Sequence, residues 1–347
     1  MERYAIVIGA DNYDPKIGKL DSAVRDALDF TTWVTGAGGV PAANLRLLLE
    51  PDPAAPPPAL PPGVTGFSPV SARKIKEAIV GLRDALPAGG GERLYFYYAG
   101  HGASIPEWQE DPVLISPRFV DHDLDDDEVL GFKELFNRLG ALTFDEQICL
   151  IDACRDFGLP GYEPVVLSGV RPRLAERQAR QYVLYSVAPG QKAAESSRGG
   201  GIWTRALLDA LEGRDYRAVV PGGTARNPFE IRLDHLASRI RSEVEDRTER
   251  IDARQVQIPE YARDRQGDNP LLAVFTEQTV PRAKLRVYVD PPLAHRTCQV
   301  SVMLYVPGRG ELREKASPPP PLRVPVGFEL FPLSYSIRAE AELFTVG

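Results

Sequence analysis

Along the first 275 or so residues, short runs of β-branched and aromatic residues alternate with segments of helical spacing. That alternation restricts the fold more than any other feature of the chain. Residues 4–9 (YAIVIG), 45–49, 93–98 (RLYFYY), 147–152 (QICLID), 182–187 and 271–275 read as buried strands, with a smaller one at 113–115. Between them, 20–33, 71–85, 131–139, 203–211 and 232–245 carry apolar residues at helical intervals. Ser71 stands where an N-cap belongs, with Ile75, Ile79 and Leu82 on one face of the helix it opens. The proline-dense stretch 51–62 is a surface loop. Strands alternating with helices predict an open, mostly parallel α/β sheet covered on both faces.

From about Lys284 the helical period disappears. Segments 285–289, 297–305, 322–331 and 334–339 read as strands between Pro- and Gly-rich turns. They predict a small all-β module at 279–347 following an α/β domain at 1–278.

Composition narrows the function classes. With 43% apolar and 26% charged residues the chain can bury a core. Its net charge of −7 argues against a nucleic-acid binder, which needs a basic surface. Three cysteines, Cys149, Cys154 and Cys298, build neither a disulfide framework nor a zinc site. The sequence goes from Met1 straight into the apolar run 5–8 without the h-region of a signal peptide, and no apolar stretch reaches bilayer length. A cytoplasmic protein without a membrane partner is expected.

Chemistry concentrates behind two strands. Residues 93–98 run directly into Ala99-Gly100-His101-Gly102, and 147–152 into Ala153-Cys154-Arg155-Asp156. In open parallel sheets, sites form beyond the carboxyl ends of the strands, so His101 and Cys154 are placed at one sheet edge. An imidazole beside a thiol is the pair that nucleophilic thiol catalysis requires. The glycines around His101 let backbone approach a substrate, and the N–H groups of Gly102 and Cys154 are candidates for an oxyanion hole.

With these residues in view, the chain resembles the caspase–metacaspase–paracaspase clan of cysteine peptidases, in its prokaryotic form. The resemblance rests on 97–102 (YYAGHG) and 152–155 (DACR), with 5–13 (AIVIGADNY), 20–27, 185–195 (YSVAPGQKAAE) and 201–211 (GIWTRALLDAL) in the same order. It covers about 1–278 and implies a large-subunit-like part at 1–156, a linker at 157–180 and a small-subunit-like part at 181–278. It implies a His101/Cys154 dyad without a third member, no required cofactor, and protein or peptide substrates. Caspases carry Gln where this chain has Asp152. In metacaspases and paracaspases an acid there lines a pocket for Arg or Lys, and Asp26 and Glu195 fall where those relatives place two more. Three such carboxylates would bind a guanidinium by charge-assisted hydrogen bonds. Asp156 replaces the usual Gly after the nucleophile, so that loop departs from the family pattern. The resemblance also makes 271–275 the last strand of the sheet, through which caspases dimerise.

Two further features bear on control. Six acids crowd 121–128. Asp123, Asp125, Asp127 and Glu128 among them suit Ca²⁺, on which many metacaspases depend, but the spacing is not that of an EF-hand and such runs are mostly solvated loops. The linker is rich in Gly and Pro and holds Arg171, Arg173, Arg177 and Arg180 as candidate cleavage points for the enzyme itself or an upstream activating protease. The resemblance implies a latent regulatory protease of the kind found in antiviral defence and cell death. Two readings compete: a catalytically silent scaffold that binds partners through the β module, and an α/β-hydrolase with 101–104 as its oxyanion loop. The second lacks a Gly-x-Ser-x-Gly elbow.

Overall fold

A computed structural model of the 347-residue chain describes residues 2–104, 112–120, 125–156, 179–195, 200–224, 227–263, 269–280, 282–288, 298–306, 310–317, 326–331 and 335–341. They form two compact units: 1–212 with 232–270, and 213–231 with 271–347.

The first unit is built from strands β1 (Arg3–Ala10), β2 (Leu45–Glu50), β3 (Gly91–Ala99), β4 (Gly102–Ser104), β5 (Pro112–Ile115), β6 (Val129–Gly131), β7 (Phe144–Asp152) and β8 (Arg180–Tyr185). Helices α1 (Ala23–Thr35), α2 (Ala72–Ala85), α3 (Phe132–Gly140) and α4 (Ile202–Leu211) connect or flank them. Within the second unit lie β9 (Val220–Thr224) and β10 (Asn227–Arg232), and the chain then returns to the first with α5 (Leu233–Ile251) and β11 (Glu260–Arg263). The main sheet has the order β11-β8-β7-β3-β1-β2, parallel throughout except that β11 runs antiparallel to β8.

Strand alternation divides its core. Leu94, Phe96 and Tyr98 of β3 pack with α2 and α3, while Tyr97 stacks on Phe30 and Tyr95 meets Trp33 edge-on, both from α1. Both faces are therefore covered, which is why these strands read as continuous apolar runs. Ser71 caps α2, its hydroxyl accepting the Lys74 N–H at 3.1 Å.

The second unit holds β9 and β10 with β12 (Leu271–Phe275), β13 (Ala283–Val287), β14 (Cys298–Val306), β15 (Gly310–Ser317), β16 (Val326–Leu330) and β17 (Tyr335–Ala341). It contains the sheets β12-β10-β9, β13-β16 and β15-β14-β17. Two expectations need correction. The 271–275 strand does not close the main sheet; it joins β10, and β11 is the edge. Residues 213–231, placed by sequence with the α/β domain, belong to the C-terminal unit because the β9–β10 pair is in one sheet with β12.

Candidate active site

Register sets the site. Ala99 of β3 lies opposite Asp152 of β7, and the Gly100 N–H donates to the Asp152 carbonyl at 3.2 Å. The two strands thus end level, and His101 and Cys154 each stand two residues past their strand's last residue. They line one cleft of about 190 Å³ together with Asp26, Asp152, Glu195 and Gly201. Gly102 packs against the nucleophile loop so closely that a Cβ there would sit 2.8 Å from the Cys154 carbonyl oxygen.

The half-buried imidazole is fixed from several sides. Nε2 lies 2.9 Å from the Gly18 carbonyl. A carbonyl can only accept, so Nε2 carries the proton and Nδ1 is left as the basic nitrogen. The Tyr13 ring meets the imidazole edge-on at 4.5 Å, its hydroxyl accepts the His101 N–H at 3.0 Å, and the Tyr98 hydroxyl donates to the His101 carbonyl at 2.8 Å. Burial holds the ring below the ordinary His pKa, against a smaller opposite pull from Gly18. Burial likewise pushes the Cys154 thiol up, while the Ala193 N–H, 3.3 Å from Sγ, pulls it down. Both groups are neutral at pH 7 in the free protein.

The acidic side of the cleft comes from three elements. Asp152, from β7, is buried, with Oδ2 accepting the Thr204 hydroxyl of α4 at 2.7 Å; the Tyr97 hydroxyl lies 2.6 Å from the same Thr204 oxygen. Asp26, from α1, is 5% exposed and accepts the Gly201 N–H at 2.7 Å. Burial and then the Asp152 charge push Asp26 up to about 8, and burial raises Asp152. Neither has a cationic partner among the described residues. Glu195 is exposed at the rim and accepts the Ser22 hydroxyl at 2.9 Å. Ser22 precedes α1 without capping it; Asp11 does so instead, accepting the Val24 N–H at 3.1 Å.

Sequence reading missed Gly18, Tyr13, Ser22 and Thr204. Tyr13 and Thr204 lie inside motifs that carried the resemblance, so their proximity was open to inference. Nothing in a sequence marks a backbone carbonyl such as that of Gly18.

The remaining candidates lie elsewhere. Asp125 accepts the Val120 N–H at 3.1 Å, and Glu128 accepts the Ala72 N–H at 2.9 Å at the start of α2. Asp123 lies outside the described residues, which contain no cluster of three metal-ligating side chains. Arg171, Arg173 and Arg177 also lie outside the described residues. Arg180 corrects an expectation: it is not in an exposed linker but opens β8, with its guanidinium 2.9 Å from Glu146.

A curated relative described as a probable protease, from a Desulfuromonadales bacterium, is 30% identical over 359 aligned positions covering 99% of this chain. The chain spans 42% of that relative's length. No helix among the described residues is long and apolar enough to cross a membrane. Residues 2–269 match the family described as Caspase domain, and the chain belongs to that family of peptidases.

Proposed function

We propose that this protein is a cysteine endopeptidase that cleaves after Arg, with Lys second, using Cys154 and His101. The observation that carries the reading is the cleft that brings together a thiol, an imidazole with Nδ1 free of the Gly18 contact, and two buried carboxylates without a cationic partner among the described residues. In the reaction, Sγ attacks the carbonyl carbon and its proton passes to Nδ1 of His101. The same proton then goes to the departing amine, and water hydrolyses the thioester. Gly102 and Cys154 N–H groups receive the oxyanion, in keeping with the close approach of the two backbones. The substrate guanidinium pairs with Asp152 and Asp26, with Glu195 at the rim.

Latency belongs to the same proposal: cleavage in 157–178 by the enzyme or an upstream protease switches on a defence or cell-death role. Wild type and Cys154→Ala, incubated alone and then offered fluorogenic peptides with and without Ca²⁺, test both parts. Cys154→Ala is expected to abolish turnover, and His101→Ala to cut it by several orders of magnitude. Retained turnover in Cys154→Ala, or preference for Asp before the scissile bond, overturns the reading. Full activity from a wild-type chain that stays intact removes linker cleavage from the scheme.

A further inference from the structure

The loop 186–195 brings the Ala193 N–H to Cys154 and Glu195 to the cleft rim, yet has no helix or ladder of its own. Its hold on the nucleophile begins with a reciprocal backbone pair: Arg155 N–H donates to the Gln191 carbonyl at 2.9 Å and Gly190 N–H to the Arg155 carbonyl at 2.7 Å. Two glutamines then tie the loop to residues 256–258. The Gln257 side chain accepts the Ala194 N–H at 3.0 Å and donates to the Ser186 carbonyl at 2.8 Å, bridging both ends of the loop. Gln191 answers it, donating to the Val256 carbonyl at 3.1 Å and accepting the Ile258 N–H at 3.0 Å.

Gln257 is 2% exposed, and its own N–H donates to the Thr248 hydroxyl of α5 at 3.0 Å. That hydroxyl in turn donates to the Val244 carbonyl at 2.8 Å. An amide buried to this degree needs its partners, and a partner lost there leaves donors and acceptors unsatisfied. The adjacent amides of 193 and 194 therefore face two different anchors: Sγ of Cys154 and Oε1 of Gln257.

We propose that Gln257, with Gln191 as its reciprocal, is a positioning residue for the nucleophile: it holds the 193–194 amides so that one of them donates to Cys154 Sγ. The inference rests on Cys154 being the nucleophile. Its function is remote, since Gln257 touches the loop and not the reacting atoms.

The test is the pH dependence of Cys154 alkylation by iodoacetamide, mapped by mass to separate it from Cys149 and Cys298. This readout needs no peptidase activity. Losing a hydrogen bond to a charged sulfur raises the alkylation midpoint by about one pH unit in Gln257→Leu, with a smaller rise in the same direction in Gln191→Ala. Glu146→Gln, destabilised at the far end of β7, keeps the wild-type midpoint. Unchanged midpoints in folded Gln257→Leu and Gln191→Ala overturn the proposal. If Gln257→Leu does not fold, Gln191→Ala at its half-buried position decides: a rise supports the proposal and no rise overturns it. Peptidase activity surviving in Cys154→Ala would instead sink the nucleophile assignment, independently of these midpoints.

Discussion

Strand β7 carries a carboxylate near each end. At one end Glu146 lies 2.6 Å from the buried Arg93 and 2.9 Å from Arg180. At the other, Asp152 is buried beside Asp26, and among the described residues hydroxyls and backbone N–H groups, not cations, turn toward the pair. A chain that buries charge for stability supplies the counter-ion itself, as it does at Glu146. A chain that buries two carboxylates together without one keeps a proton on one of them, and in the proposed function a substrate cation takes that proton's place. The contrast follows the parallel topology, because loops and ligands gather at the carboxyl ends of the strands.

The largest effect expected from this contrast is structural. Glu146→Gln leaves the Arg93 guanidinium, 4% exposed, without its anion. Breaking a buried pair from one side costs about 3–5 kcal/mol. Denaturant unfolding should show that loss, while kcat/KM for Arg peptides stays at the wild-type value in the folded protein. A comparable fall in kcat/KM would mean that the two ends of β7 are not separate.

Asp152→Asn is the converse. If the pair receives a guanidinium as proposed, removing one anion costs about 2–5 kcal/mol in transition-state binding, or roughly 30-fold or more in kcat/KM. Stability should hold or rise, since Asn still offers an oxygen to Thr204 and no longer repels Asp26. Steady-state kinetics with Arg, Lys and Asp peptides, beside an unfolding curve, check both halves. An unfolded Asp152→Asn, or an unaltered Arg rate, would make Asp152 another Glu146.

Gly201 sharpens the comparison from the pocket's side. A Cβ there would stand 2.7 Å from Asp152 Oδ2 and 3.0 Å from Asp26 Oδ2, while its φ of −62° is open to any residue. Gly201→Ala therefore acts through the pocket and not through backbone strain. Overpacking of about 1–3 kcal/mol predicts a loss of roughly 5- to 150-fold for Arg substrates, smaller on average than that of Asp152→Asn. Equal turnover of Arg peptides by Gly201→Ala would show that the guanidinium does not come this far.

How much of this was legible in the sequence depends on whether the interaction is made within an element or across it. The apolar runs of β3 and β7 fixed strands, and their level ends brought His101 and Cys154 to one edge, because a parallel register needs no knowledge of side chains. The capping hydroxyl of Ser71 was equally local. At α1 the cap is not local: Asp11 supplies it to the Val24 N–H from 13 residues away, and Ser22 turns to Glu195, 173 residues away. The β9–β10 pair was missed because Val220–Thr224 reads VPGGT, a turn composition. Strand β15, Gly310–Ser317, was missed because GELREKAS carries four charges and shows no clean apolar alternation. Gln257 carried no signal at all: its three contacts lie 9 to 71 residues away.

The smallest expected effect is in protons. Asp26 in the folded chain binds its proton up to about pH 8, against an ordinary 3.8, first because of burial and second because of Asp152. A raised carboxyl pKa means that the folded state holds the proton more tightly than the unfolded one. This group's contribution to stability is therefore greatest below pH 4 and declines as pH rises toward 8. A guanidinium placed between Asp26 and Asp152 reverses the preference and favours the ionised form. Binding of acetyl-arginine amide to Cys154→Ala should therefore release a fraction of a proton near pH 7 and strengthen between pH 6 and about 8. Asp11, raised to about 6 mainly by burial, titrates in the lower part of that range, so Asp26→Asn is the necessary comparison. Calorimetry in two buffers of different ionisation enthalpy measures the release directly. If Asp26→Asn releases as many protons as the parent, Asp26 does not exchange its proton for the substrate's cation.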